Sequence, residues 1–138
     1  MLLNSRKFKP ECAQVLLRIA AGDLASAQTL SVANVGRPEN VSYLAQQAVE
    51  KALKAALCAA ELPIPMTCNV ETLLALLPAE AGLPVDAAAI PALTEFATVR
   101  RYEEGFYDLT REELDAVLGA TRRTIDWAAA LCARRPPK

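Results

Sequence analysis

The second of five helical segments in the sequence carries polar side chains at intervals of three or four residues. These side chains are Tyr43, Gln46, Gln47, Glu50 and Lys54. At about 3.6 residues per turn they share roughly one-third of the helix circumference, and the opposite side of the segment is apolar. Amides, a carboxylate and an ammonium on one side can hydrogen-bond a nucleobase and pair with a phosphate. The alternative is a solvated face with an ordinary Glu50–Lys54 ion pair.

Two adjacent arginines, Arg100 and Arg101, end the fourth helical segment. Arg100 lies three and four residues after Ala97 and Phe96, so it extends the inward stripe of that segment. A guanidinium at the end of an apolar stripe needs a partner, and Glu50 in the second segment is the candidate. We therefore expect a ligand-binding groove between these two segments. A structural salt bridge, or an arginine that snorkels to solvent, is the alternative.

The five segments follow from apolar residues at helical spacing and from the Pro, Gly and Asn signals between them. They cover about residues 10–33, 39–60, 69–77 and 86–101, and the last runs from residue 110 to the Pro136-Pro137 pair. Thr110 and Glu113 form a capping box at the start of the last segment. Pro91 interrupts the fourth segment, so this helix begins near Ile90 or residues 86–89 form a separate turn.

The whole chain, residues 1–138, is expected to form one domain. Apolar residues make up 53% of it and aromatic residues only 5%, and the abundance of alanine and leucine favours helices over sheet. The first segment is expected to bury Ala20, Leu24 and Ala27, with Ile19 widening that face. Segments of these lengths predict an all-α fold, an up-and-down antiparallel bundle of about five helices around a four-helix core.

The charge, the hydropathy and the cysteine content argue against several kinds of function. A net charge of −1 does not support RNA or DNA binding by charge alone. No apolar run approaches the ~20 residues that span a membrane and no signal peptide is evident, so a cytoplasmic location is expected. The four cysteines form no Cys-x-x-Cys pair and histidine is absent, so we expect reduced thiols, no metal site and no cofactor.

Three stretches of the chain, in this order and spacing, resemble the HEPN family. They are Gly22-Asp23-Leu24-Ala25-Ser26-Ala27, Tyr43-Leu44-Ala45-Gln46-Gln47-Ala48-Val49-Glu50-Lys51-Ala52-Leu53-Lys54-Ala55 and Phe96-Ala97-Thr98-Val99-Arg100-Arg101-Tyr102. The second is similar to the family's Tyr…Gln-Gln-Ala-x-Glu-Lys-x-Leu-Lys-Ala pattern. The third resembles its Arg-Tyr-Pro ending, with Glu103 in place of proline. The resemblance covers about residues 8–133 and implies a helical bundle, a homodimer and a small nucleotidyltransferase partner.

The sequence departs from the ribonuclease members of that family, which carry Arg-x4-6-His at the end of the fourth helix. Counted from Arg100 or Arg101, the histidine falls on residues 105–108, which read Gly-Phe-Tyr-Asp. The resemblance implies that this histidine acts as a general acid or base near neutral pH. Some toxin members follow it with x-Tyr, which the partner enzyme modifies. Tyr107 stands at that spacing, and a loop aromatic packed on the bundle is the alternative.

Together these features predict a non-catalytic nucleotide- or partner-binding module, as the substrate-binding or regulated subunit of a nucleotidyltransferase pair of toxin–antitoxin type. The predicted ligand-binding residues are Arg100, Arg101, Glu50, Gln47, Lys54 and Tyr107, and no residue is predicted to be catalytic. One alternative is a metal-independent ribonuclease toxin with an altered site. Another is a dimerisation scaffold without a small ligand.

Overall fold

The computed structural model describes residues 5–6, 11–67, 69–84 and 110–134. Within these ranges the helices are α1 (Cys12–Ala33), α2 (Pro38–Ala59), α3 (Val70–Leu76) and α4 (Arg111–Arg134), with a 3-10 turn at Ala79–Ala81. Two short strands, β1 (Ser5–Arg6) and β2 (Ile64–Pro65), pair antiparallel. The all-α prediction is confirmed. The predicted helix at 86–101, with Arg100 and Arg101, lies outside the described residues, and so does Tyr107.

Local capping determines where the helices begin and end. Thr110 and Glu113 form the predicted capping box at the start of α4, through two backbone-to-side-chain hydrogen bonds of 3.0 Å. At the start of α3, Asn69 Oδ1 accepts a hydrogen bond of 2.9 Å from the Thr72 N–H. Asn34 ends α1 in the left-handed conformation, with φ of 54°.

The end of α2 is closed by backbone geometry rather than by the prolines that follow it. Glu61 takes a left-handed φ of 60° after the last helical residue, Ala59. The Leu62 N–H then donates to the Leu57 carbonyl oxygen at 2.9 Å, which satisfies a terminal helix carbonyl. The pairing of β1 with β2 is not predicted by the sequence, because a two-residue strand shows no alternation.

The helix α2 is the centre of the bundle and packs against α1, α3 and α4. Its alanines on the side opposite the polar residues are buried, and they are Ala45, Ala48, Ala52, Ala56 and Ala59. Ala20 and Leu24 of α1 join Ile125 of α4 in a buried cluster with two of these alanines. Small side chains at these positions let the helices approach closely. Ile19 is 43% exposed, so the prediction that it widens the buried face of α1 is wrong.

Contacts at the two ends of the bundle fix the helix directions. At the start of α4, Arg111 Nη1 donates to both the carbonyl oxygen and Oγ of Ser31, each at 2.9 Å, near the end of α1. At the other end, Cys132 Sγ of α4 lies 3.7 Å from the Ala55 carbonyl oxygen of α2. The helix α4 therefore runs antiparallel to α1 and parallel to α2.

The turn after α3 is attached to α4 by a tryptophan. Trp127 Nε1 donates to the Ala81 carbonyl oxygen at 2.7 Å, and the indole packs against the buried clusters. Ala81 lies shortly before the segment 85–109 in the sequence, so this bond attaches to α4 the turn that precedes that segment. Among the described residues, no helix has both the length and the apolar character needed to cross a membrane.

Candidate functional site

Glu50 is a buried carboxylate in the middle of α2. It is 4% exposed, and its Oε1 accepts a hydrogen bond of 2.8 Å from Lys54 Nζ. Lys51 Nζ lies 3.5 Å from the same oxygen. Both lysine side chains are only partly buried, so their ammonium groups reach the surface while the carboxylate lies beneath them. The Glu50–Lys54 pair is present, and its carboxylate is buried rather than solvated.

Asp23 of α1 adds a second carboxylate beside this pair. Burial raises the pKa of Asp23 above its usual value, the Lys51 ammonium opposes the rise, and the Glu50 carboxylate adds to it. Asp23 is therefore close enough to Lys51 and Glu50 for their charges to act on it across the packing of α1 on α2. The formal charges of the two carboxylates and the two lysines cancel. We call Asp23, Glu50, Lys51 and Lys54 the charge cluster.

Glu50 also belongs to a row of four buried polar residues along one side of α2. The others are Glu39, Ser42 and Gln46, and each of the four is 9% exposed or less. Their spacing of three or four residues places them on consecutive turns. Within the described part of the chain, Ser42 Oγ is buried without a hydrogen-bond partner. We call these four residues the polar stripe, and their burial is favourable only where polar partners meet them.

The structure brings three of the predicted ligand-binding residues together. Gln47, Glu50 and Lys54 lie on consecutive turns of α2, and Gln47 and Lys54 are half-buried around the buried Glu50. The other predicted residues, two arginines and a tyrosine of the segment 85–109, lie outside the described residues. The contact of an arginine with Glu50 therefore stays a prediction.

Two residues near the site, Asp23 and Ser42, are absent from the predicted set. Asp23 has a sequence signal, because it is the one charged residue between Arg18 and Arg37. An isolated acid on an otherwise uncharged stretch needs a basic neighbour from another element. Ser42 has no such signal, because a helical serine usually bonds to its own backbone or to solvent.

Three cysteines, Cys12, Cys58 and Cys132, are free thiols. Burial raises the pKa of Cys58 and of Cys132 above the usual thiol value, and a neighbouring cysteine adds to each rise. Protonated, buried thiols pack as small hydrophobic groups, as the sequence predicts. Within residues 11–67, 69–84 and 110–134, no group of three or more His, Cys, Asp or Glu side chains is placed to hold a metal ion.

The charge cluster is suited to hydrogen bonding more than to attraction of net charge. Each lysine ammonium carries three N–H donors, and Lys54 uses one of them on Glu50. The remaining donors, together with the Gln47 amide, can contact oxygen or nitrogen atoms of a ligand at the surface. Because Glu50 is buried and rigidly placed in a helix, it holds the ammonium groups in a defined position.

Comparison with known proteins identifies the fold family. The family model of the HEPN domain matches residues 13–131. The crystal structure of an archaeal HEPN homologue is similar to this chain, with a TM-score of 0.66, 21% sequence identity, and coverage of 87% of this chain and 97% of that chain. No curated protein matches the chain. The family match spans all four described helices apart from their outermost residues, and the chain belongs to the HEPN family.

Proposed function

We propose that this chain is a non-catalytic HEPN module that binds a nucleotide on the polar side of α2. The observation that carries the proposal is the buried Glu50 carboxylate, which fixes the Lys54 and Lys51 ammonium groups at the surface beside α1. Stability alone does not explain a buried, paired carboxylate, because an apolar residue at the same position is often as stable. A ligand that contacts the ammonium groups positioned by Glu50 does explain it.

Each proposed contact has a chemical role. The guanidinium of Arg100 or Arg101 pairs with phosphate through parallel N–H donors, which arginine presents in a rigid fork. The Gln47 amide offers both a donor and an acceptor to a base edge. The Lys54 ammonium donates to a ribose or phosphate oxygen while it remains bonded to Glu50. The site is therefore expected to select nucleotides over free phosphate.

The absence of catalysis is proposed from the titratable groups of the chain. None of its 138 residues is histidine, the side chain whose unperturbed charge changes near neutral pH. The described thiols do not substitute, because burial raises the pKa of Cys58 and Cys132. Cleavage of RNA by the purified chain would contradict this assignment and favour the ribonuclease alternative.

We also propose that the chain works as a cytoplasmic homodimer beside a small nucleotidyltransferase, in a pair of toxin–antitoxin type. Membership of the HEPN family supports this part of the proposal. In the pair, the chain either holds the nucleotide substrate or presents Tyr107 for modification.

Melting temperature in the presence of adenine and guanine nucleotides tests the binding proposal. A ligand at about 100 times its dissociation constant adds roughly 2.7 kcal/mol to the free energy of unfolding, which gives a clear shift. We expect a shift that Gln47→Ala reduces and that Arg100→Ala or Arg101→Ala removes. Arg122→Ala, on the exposed side of α4, is the matched control and should keep the shift. No shift with any nucleotide would exclude the small-ligand site.

A further inference from the structure

Three of the four cysteines lie at the end of the bundle where α1 begins and where α2 and α4 end. Cys12 is the first residue of α1, Cys58 is the last but one of α2, and Cys132 lies in the last turn of α4. All three side chains pack in one hydrophobic cluster. We call them the thiol cluster. The fourth cysteine, Cys68, lies outside the described residues.

Cys12 and Cys58 lie at the same level of the antiparallel hairpin that α1 and α2 form. The two helices are each 22 residues long and are joined by residues 34–37, so the start of α1 is level with the end of α2. The Ala13 backbone N–H donates a hydrogen bond to the Cys58 sulfur, and this nitrogen is bonded to the carbonyl carbon of Cys12. A disulfide requires two Cα atoms within about 7 Å of each other. The hairpin register and this hydrogen bond both favour such an approach.

Solvent reaches Cys12, and Cys58 lies behind it in the thiol cluster. Cys12 is half-buried, whereas Cys58 is 1% exposed. Burial raises the pKa of Cys58 and the neighbouring Cys12 adds to the rise, so the Cys58 thiol stays protonated in the reduced chain. Cys132 also neighbours Cys58, but it is 4% exposed and its sulfur donates to the Ala55 carbonyl oxygen at 3.7 Å. An oxidant from solution therefore meets Cys12 first.

We propose that Cys12 and Cys58 are a redox pair, which a hydroperoxide converts into a disulfide between the start of α1 and the end of α2. The reaction begins when the Cys12 thiolate attacks one oxygen of the hydroperoxide. An S–O bond forms, the O–O bond breaks, and the leaving oxygen takes up the proton of the Cys12 thiol. The Cys58 sulfur then attacks the Cys12 sulfur, an S–S bond forms, and the departing hydroxide takes up the Cys58 proton and leaves as water. Two thiols are oxidised and one hydroperoxide is reduced.

The disulfide acts as a clamp on the hairpin of α1 and α2. It closes a loop that contains nearly all of both helices, and so restricts the unfolded chain. The charge cluster lies within this loop, because its four residues fall between Cys12 and Cys58 in the sequence. Oxidation therefore restrains the two helices that carry this cluster. Exchange with a small thiol returns the pair to the free thiols of this structure.

Treatment of the reduced full chain with hydrogen peroxide, followed by non-reducing peptide mapping, tests the pair. Cleavage after arginine, lysine and glutamate separates Cys58 from Cys68, because Glu61 lies between them. We expect the intact chain to lose two hydrogen atoms in mass, and the Cys12 and Cys58 peptides to be cross-linked. The melting temperature should rise by about 5 °C or more, and dithiothreitol should reverse the rise.

Three variants decide between this pair and the other cysteines. Cys12→Ala and Cys58→Ala should each abolish the cross-link and the rise in melting temperature, and circular dichroism checks that both stay helical. Cys132→Ala removes a similarly buried thiol of the same cluster and is the matched control, so it should keep both.

A wild-type chain that forms no cross-link under peroxide would overturn the proposal. So would a cross-link that joins Cys58 to Cys132 instead, or a Cys12→Ala variant that shows the same rise in melting temperature on oxidation. A cross-link between Cys12 and Cys58 that leaves the melting temperature unchanged would overturn the clamp.

Discussion

The outward side of α1, with exposed Val15, Ile19 and Val32, and the polar stripe of α2 depart from the usual distribution of residues in opposite directions. The helix α1 exposes valine and isoleucine, whereas the neighbouring α2 buries two carboxylates, a hydroxyl and an amide. Exposed apolar surface and buried polar groups both lower the stability of an isolated chain unless something meets them. The contrast teaches that the side of a helix has to be judged by what meets it: Glu39 and Glu50 of α2 have ion-pair partners, whereas Ser42 Oγ has no hydrogen-bond partner among the described residues.

The largest effect that sharpens this comparison is expected from Lys54→Met, which leaves the buried Glu50 with Lys51 alone. Loss of one partner strongly destabilises a buried charge, and with Lys51 still present we expect a loss of about 2 kcal/mol in the free energy of unfolding. Glu50→Met should cost less, because both lysines can then extend into water. Urea denaturation measures both variants. A greater loss for Glu50→Met would contradict the account of a buried carboxylate held by surface ammonium groups.

A smaller effect of opposite sign is expected from Ser42→Ala. It removes a buried hydroxyl that has no partner among the described residues, so we expect a gain of about 1 kcal/mol in stability. Thr121→Val is the matched control, because Thr121 Oγ1 is equally buried but donates to the Val117 carbonyl oxygen at 2.7 Å. The control should show no gain. If Ser42→Ala lowers the thermal midpoint instead, the Ser42 hydroxyl makes a stabilising hydrogen bond in the folded chain.

The smallest effect concerns Asp23 and the pH dependence of stability. Because the pKa of Asp23 is raised in the folded chain, its contribution to the free energy of unfolding is fully present below the ordinary pKa of 3.8 and is lost as pH rises through the pKa of the folded chain. As pH rises through the window just above 3.8, the Asp23→Asn variant should therefore lose less stability than the wild-type chain. Urea midpoints between about pH 3 and pH 7 measure the difference. Asp126→Asn, on the exposed side of α4, serves as the control.

The start of a helix can be predicted from the sequence when the residues that determine it lie within one helical turn of each other. The Thr110–Glu113 capping box is present as predicted, because it depends on two residues three apart. The assignment of Ile19 to the core fails for a different reason. In an alanine-rich helix, an inward and an outward apolar stripe look alike, and hydrophobicity alone does not say which one the rest of the chain covers.

The candidate site is harder to predict from the sequence, because its burial and charge interactions depend on contacts between helices. The Glu50–Lys54 pair follows from sequence spacing, but the burial of Glu50 is set by neighbouring elements. The approach of Asp23 to Lys51 joins two helices across 28 positions of the sequence, and no local rule specifies it. Local spacing thus predicts which residues share a side of a helix, whereas packing decides their electrostatic state.

The bond between Trp127 and Ala81 has a practical consequence. The chain contains one tryptophan, so its fluorescence reports a single place, the contact of α4 with the turn that leads into residues 85–109. Those residues include Arg100 and Arg101. Any rearrangement that draws the turn away from α4 exposes the indole to water and moves its emission to longer wavelength. The fluorescence of Trp127 therefore reports on the turn that precedes, in the sequence, the segment on which the proposed recognition of nucleotides depends.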